Sequence, residues 1–167
     1  MTEPQVDSKL FRQVMRKFAT GVTVLTVRDG ENIHGMTANA FASVSLDPLL
    51  VLVCIAKNKI THDLVTRTGI FAVNILGDTQ TEWARRFAHQ VTASSNPFAD
   101  IAYHSAATGS PILDNGIAYL DCRVIAAHDA GDHTIFVGHV EAAGFGNAHN
   151  ENPLLWFDGN YTTLELD

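Results

Sequence analysis

The stretch His34-Gly35-Met36-Thr37-Ala38-Asn39-Ala40-Phe41-Ala42-Ser43-Val44-Ser45-Leu46-Asp47-Pro48-Leu49 packs small residues and hydroxyls between two strand-like runs. Small side chains let backbone amides come close to a planar ligand, and hydroxyls add polar contacts. The stretch therefore suits a flat heterocycle, and an ordinary strand with a polar face fits its composition equally well. Lys57-Asn58-Lys59-Ile60-Thr61-His62 leads into a short helical segment, where free amides, a threonine hydroxyl and lysine charge combine to favour a phosphate. A solvated loop is the alternative there. A third cluster, His128, His133 and His139 with Asp129 and Asp132, raises a metal site, but its spacings match neither H-E-x-x-H nor a Cys/His zinc pattern. No G-x-G-x-x-G opens a helix, and there is no Walker loop or G-x-S-x-G elbow, so a Rossmann nucleotide site is not expected.

The bulk of the chain narrows the function classes further. Eleven Lys and Arg, scattered along 167 residues against eighteen Asp and Glu, leave a formal charge of −7, which argues against a general nucleic-acid binder. With 46% hydrophobic and 17% charged residues the sequence has the balance of a folded protein, and its length fits one domain, residues 1–167. The start, Met1 to Asp7, carries no basic segment followed by an apolar one, and the longest apolar run, Leu49 to Ala56, is far short of the ~20 residues that span a bilayer. A cytoplasmic protein away from membranes is expected. Cys54 and Cys122 both fall in apolar runs and read as buried small hydrophobes.

The elements that must position these residues are mostly strands. Leu10, Phe11, Val14, Met15 and Phe18 recur at helical spacing behind Asp7 and Ser8, and predict an amphipathic N-terminal helix. Strands are expected over Val22 to Val27, Phe41 to Ser45, Leu49 to Ile55 and Ile70 to Leu76, with a hairpin at Asp29-Gly30 and a short helix over Thr61 to Thr68 closed by Gly69. The Leu49 run has no polar alternation, which predicts burial on both faces. Thr79-Gln80-Thr81-Glu82 fits a capping box for a second helix carrying Trp83, Ala84 and Phe87. Ala88 to Gly116, with Ser94-Ser95-Asn96-Pro97 and Gly109-Ser110-Pro111, reads as a long polar excursion. Ile117 to Ile125, His133 to Ala142, Leu154 to Phe157 and Tyr161 to Leu164 then read as a β-meander. Hairpin-length turns without regular crossover helices favour a mainly β, antiparallel barrel over a doubly wound fold.

Six motifs then stand in order: Phe18-Ala19-Thr20-Gly21-Val22-Thr23-Val24-Leu25-Thr26, the Gly35 to Leu49 stretch, Phe71-Ala72-Val73-Asn74-Ile75-Leu76, Gly109-Ser110-Pro111-Ile112-Leu113, Gly131-Asp132-His133-Thr134 and Pro153-Leu154-Leu155-Trp156-Phe157. Together, over about Phe11 to Leu164, they resemble the flavin reductase family of FMN-binding split barrels, the reductase components of two-component flavin-dependent monooxygenases. The resemblance implies an antiparallel, Greek-key type split β-barrel with a few flanking helices. It implies a homodimer that reduces FMN or FAD with NADH or NADPH and passes the reduced flavin to a separate monooxygenase.

The resemblance also places a flavin at the dimer interface. The ring is expected along Met36, Thr37, Ala38, Asn39 and Ala40, and the chain and phosphate near Ser43, Val44 and Ser45. Further contacts are implied from Cys54, Ile55 and Ala56, from Lys59, Ile60 and Thr61, and from Arg86 and Phe87. Ala40 stands where family members often have serine, which removes one hydroxyl. His133 and Tyr161 are implied to meet the nicotinamide. A non-catalytic or differently coupled flavin-binding protein of the same barrel class, including one that pairs flavin with another redox partner, is the other reading.

Overall fold

Helical spacing of apolar residues produces α1 (Ser8–Met15), and the Asp7 carboxylate caps it by accepting from the Leu10 amide at 2.7 Å. In the computed structural model, which describes residues 6–89 and 96–164, no residue of this helix is buried. Its apolar side, with Leu10, Phe11, Val14 and Met15, stands exposed beside Phe18.

The chain then alternates short turns with strands. These are β1 (Thr20–Gly21), β2 (Thr23–Asp29), β3 (Asn32–Ala38), β4 (Phe41–Leu46) and β5 (Leu49–Ala56), followed by α2 (Ile60–Thr68) and β6 (Ile70–Ile75). A 3₁₀ turn at Asp78–Gln80 leads into α3 (Thr81–Ala88). Then come β7 (Tyr103–Ser105), β8 (Pro111–Leu113), β9 (Ala118–Ala130), β10 (His133–Phe145), β11 (Leu155–Phe157) and β12 (Asn160–Thr162). Gly30 and Gly69 take positive φ values of 59° and 68°, one turning the expected β2–β3 hairpin and the other closing α2.

Seven strands form one antiparallel sheet in the order β3-β2-β6-β9-β10-β5-β4. Its two outer members, β3 and β4, are consecutive in the chain and joined only by Asn39-Ala40, so the sheet curls until its edges meet there without pairing. The barrel is split along that seam. The Ala40 carbonyl accepts from the Cys54 amide at 3.0 Å, which ties the seam to β5. Within β4 the register slips between Ser43 and Ser45, so that Val44 is an extra, bulged residue on an edge strand.

The core lies inside the curl, around Leu25, Val27, Val53, Ile55, Phe71, Val73, Cys122 and Phe136, all almost fully buried. A second cluster, Val22, Val24, Leu76, Phe87, Phe98 and Leu154, packs under α3. Asn74 links the sheet to β8: its amide donates to the Val24 carbonyl and its oxygen accepts from the Leu113 amide at 2.8 Å. The buried Asp121 carboxylate holds the Thr108 amide at 2.7 Å and fixes the turn before β8.

Four expectations are corrected by this architecture. The Leu49 run is buried on one face only: Val51, Val53 and Ile55 enter the core while Leu50, Leu52 and Cys54 stay partly open, because among the described residues that side is only rimmed, by α1 and Trp156, and not closed. The capping box does not form, since the Thr79 hydroxyl donates to Glu151 at 2.6 Å and the Gln80 side chain accepts from the Gly77 amide at 2.8 Å to close the 3₁₀ turn instead. The polar excursion contains its own antiparallel pair, β7 with β8, held by Asn74; Ser94 and Ser95 lie outside the described residues. Finally, β11 and β12 leave the meander to pair with β1 in a separate three-stranded sheet. The antiparallel, mainly β class stands.

Candidate functional site

Three depressions adjoin along the seam. The largest, about 520 Å³, is bounded by Arg12, Met15 and Arg16 of α1, by Asn39, Ala40, Phe41 and Ala42 at the turn between β3 and β4, and by Leu52, Cys54 and Trp156. A second, of about 260 Å³, shares Asn39 and Trp156 with it and continues over Thr37, Ala38 and Tyr161. A third, narrow one runs from Gly35 and Met36 to Lys59, Ile60 and Thr61, with Phe87 and His89 beside it. The three thus follow one another along the last five residues of β3 and into the turn as a broken trough, wide at Asn39-Ala40 and narrowing to about 20 Å³ beside Thr61.

Local structure explains why the trough can admit a flat ligand. The side chains of Thr37 and Asn39 are tied off, with the Thr37 hydroxyl on the Ala84 carbonyl at 2.6 Å and the Asn39 amide on the Thr20 hydroxyl at 3.2 Å. Ala38 and Ala40 carry only methyls. Backbone and small side chains therefore form the floor, while Trp156 and Tyr161, in edge contact at 4.9 Å between ring centres, form an aromatic wall. Gly35 must be glycine, because a Cβ there would lie 2.6 Å from the Phe87 ring. That close approach keeps α3 against β3.

At one end of the trough the Thr61 hydroxyl is buried, with the residue 1% exposed, and it has no hydrogen-bond partner among the described residues. A buried hydroxyl left in this way costs about 1–3 kcal/mol, so the position is unfavourable unless something else accepts or donates there. It sits in the first turn of α2, where Lys59 is the N-cap and offers no side-chain cap. The free amides of a helix start, the orphaned hydroxyl and the Lys59 ammonium fit a bound phosphate. His34, in the same recess, is held below its ordinary pKa by burial and is neutral at pH 7.

The other sequence-predicted residues divide into those the fold brings to the trough and those it does not. Met36, Thr37, Ala38, Asn39, Ala40, Cys54, Lys59, Ile60, Thr61, Phe87 and Tyr161 line it. Ile55 points into the core, leaving only its backbone facing outward, and Ala56 pairs with His133. Ser43 and Val44 are exposed on the edge strand, and the Ser45 hydroxyl accepts from the Asp47 amide at 3.2 Å. Arg86 turns away: its guanidinium binds Asp100 and Glu82 and donates to the Pro97 carbonyl at 3.3 Å, and it holds the Asp100 carboxyl below the usual carboxylate range.

His133 opens β10 beside the end of β5, with Nδ1 on Asp132 Oδ1 at 2.7 Å, and lines none of the three depressions. It stands next to the Lys57 turn, since the Lys57 ammonium donates to the Gly131 carbonyl at 2.7 Å. His62 bridges the two neighbourhoods, with Nε2 at 2.9 Å from the Thr134 hydroxyl. Trp156, Arg12 and Arg16 were not singled out by sequence reasoning. Trp156 had a signal, an aromatic residue inside the last recognisable motif; the arginines, on an ordinary amphipathic helix, had none.

Comparisons with known proteins place the chain in a family. A family model described as a flavin reductase like domain matches residues 15–165. The reductase subunit HsaB of a flavin-dependent monooxygenase from Mycobacterium tuberculosis is 36% identical over 161 residues, 96% of this chain and 84% of that protein. An NADH-dependent flavin reductase from Rhodococcus sp is 38% identical over 167 residues, 98% of this chain and 90% of that one. Among solved structures, the NADH:FAD oxidoreductase SgcE6 of Streptomyces globisporus, in complex with NAD and FAD fragments, superposes with a TM-score of 0.86 at 36% identity, covering 99% of each chain.

Proposed function

Because this chain belongs to the flavin reductase family, we propose that it is an NADH-dependent flavin reductase, taking FMN or FAD, that supplies reduced flavin to a partner monooxygenase. The observation that carries the flavin assignment is the pair of features along β3: a groove floored by backbone and small residues at the turn after the strand, and an orphaned hydroxyl at an uncapped helix start further back along it. A planar ring joined to a phosphate has that shape and that polarity.

A flavin held along Met36 to Ala40 would supply the electron-accepting chemistry, and a nicotinamide nucleotide the hydride. The protein's share is placement. Met36 to Ala40 and Cys54 present the floor, Trp156 and Tyr161 the wall, and Lys59 to Thr61 hold the phosphate. Holding two rings in near-attack geometry and excluding water requires no acid–base triad. His133, fixed by Asp132 at the open side of β5, receives the nicotinamide nucleotide. Arg86 contributes indirectly, by clamping the end of α3 to residues 97–100. The Ser43 hydroxyl, free on the edge strand, is a further contact for the flavin chain.

A second copy of the chain completes the site. The exposed apolar side of α1, Leu46 at 88% exposure, Leu49 and the half-open face of β5 are large apolar side chains left uncovered, and they support a second copy as what covers them. The unit is one domain, and the cytoplasm, where NADH is available, is its place. Among the described residues no helix is long and apolar enough to cross a membrane.

The test is NADH consumption with FMN and, separately, FAD. Turnover with at least one flavin is expected; NADH that is not consumed with either overturns the reading. Bound flavin that NADH fails to bleach would make this a flavin-binding protein without reductase activity.

A further inference from the structure

The cations of this acidic chain are less evenly spread than its overall balance implies. The 21 residues from Ser8 to Arg28 contain five Lys and Arg and no carboxylate, and three of the five, Lys9, Arg12 and Arg16, follow one another at helical spacing on α1. With Gln13 they enclose an open depression of about 430 Å³. Arg12 and Arg16 also line the 520 Å³ groove, so the cationic depression and the apolar groove share a wall.

Among the described residues Lys9, Arg12 and Arg16 form no ion pair. Asp7, next to the helix in the chain, caps it through the Leu10 amide, and Asp158, in the turn that Arg16 crosses, is bound by Lys17 at 2.9 Å. The Arg12 guanidinium is held by its own helix, Nε donating to the Ser8 carbonyl at 3.1 Å and Nη2 to the Ser8 hydroxyl at 3.4 Å. Arg16 passes over Gly159 in the β11–β12 turn, where even a Cβ would come within 3.6 Å of its guanidinium carbon. Two forks one helical turn apart and already positioned, with an ammonium one turn further, match two adjacent phosphates better than one.

We propose that Lys9, Arg12 and Arg16 form an anion subsite at the α1 end of the groove that takes the diphosphate bridge of an adenine dinucleotide. The assignment rests on the flavin reductase reading, in which two reactants carry that bridge, FAD and NADH. The subsite is separate from the Lys59 to Thr61 end, which is suited to a single phosphate. It makes α1 a selector between mono- and dinucleotides, while the helix's apolar side meets the second copy.

The experiment compares the wild-type protein with Arg12→Gln/Arg16→Gln, measuring the affinities of FMN and FAD by titration and the KM of NADH against that of reduced nicotinamide mononucleotide. Loss of two charge-assisted contacts predicts that the FAD-to-FMN affinity ratio, or the preference for NADH over the mononucleotide, falls about tenfold or more. The loss should shrink as salt is raised. Whichever ratio moves identifies the dinucleotide. Arg123→Gln, which removes the same charge where Glu141 pairs it on β9 and β10, leaves both ratios unchanged. Equal losses for mono- and dinucleotides, or no change in either ratio, overturn the subsite. A wild-type protein that turns over no flavin overturns the underlying function instead, and gel filtration of the double variant separates loss of the subsite from loss of the dimer.

Discussion

Leu52 and Val53 are neighbours in β5 and belong to two different surfaces. Val53, with Val51 and Ile55, is packed into the core against Phe71 and Phe136, whereas Leu52, with Leu50 and Cys54, faces the groove and the uncovered side of the sheet. The residue types on the two faces are nearly the same. What differs is what covers them: the core face is closed by the chain itself, and the groove face is left partly open by the described residues. An apolar run without alternation therefore does not by itself mark burial on both faces within one chain, and the second face is the one assigned to the proposed flavin and second copy.

Several substitutions break or sharpen that contrast. The largest effect falls on the closed face: Phe71→Ala lowers the unfolding free energy of the flavin-free protein by about 3–5 kcal/mol, measured by urea denaturation. A loss below ~1 kcal/mol would mean that this face is not the structural core. On the open face, Leu46→Asp combined with Leu49→Asp places two charges in the apolar surface and converts the dimer to a monomer in sedimentation experiments, with the far-ultraviolet circular dichroism retained. A variant that sediments as the wild type does would place the second copy elsewhere.

Thr61→Val separates binding from folding. Removing a buried hydroxyl that has no partner leaves stability unchanged or raises it by up to about 1 kcal/mol, while flavin affinity drops about tenfold, or ~1.4 kcal/mol. Equal falls in both quantities would make Thr61 an ordinary core residue.

The two thiols report the same contrast most gently. Cys54, half-buried in the groove, is labelled by a thiol reagent and is slowed by FMN; Cys122 is not labelled until the protein unfolds. Burial is the main cause that pushes the Cys122 thiol from 9.0 up to about 12. Because the unfolded thiol ionises first, the stability contributed by keeping Cys122 protonated is present below pH 9.0 and is lost as the pH rises toward about 12. Labelling of Cys122 in the folded state would contradict its placement.

How much of this was legible in the sequence depends on whether the cause was local. The α1 spacing, the Asp29-Gly30 hairpin and the Gly69 helix stop are set by a few adjacent residues, and all three form as read. The capping box failed because Glu151, 72 residues away from Thr79, competes for its hydroxyl. The β7–β8 pair was missed because its anchor, Asn74, lies in a different strand.

The candidate site follows the same division. Met36 to Ala40 and Lys59 to Thr61 were found through small residues, hydroxyls and family motifs in continuous segments. The part of Trp156 and the direction taken by Ile55 and Arg86 depend on how distant elements cross. No spacing rule along the chain reports that.

The extra residue in β4 has one more consequence. An outer strand with a regular hydrogen-bond pattern and side chains such as Val44 and Leu46 would be a template on which further chains could add without limit. The slip between Ser43 and Ser45 interrupts that pattern midway along the strand, so another molecule cannot extend the ladder through its backbone. The same irregularity that shapes the seam thus makes an exposed apolar edge a poorer template for open-ended strand addition.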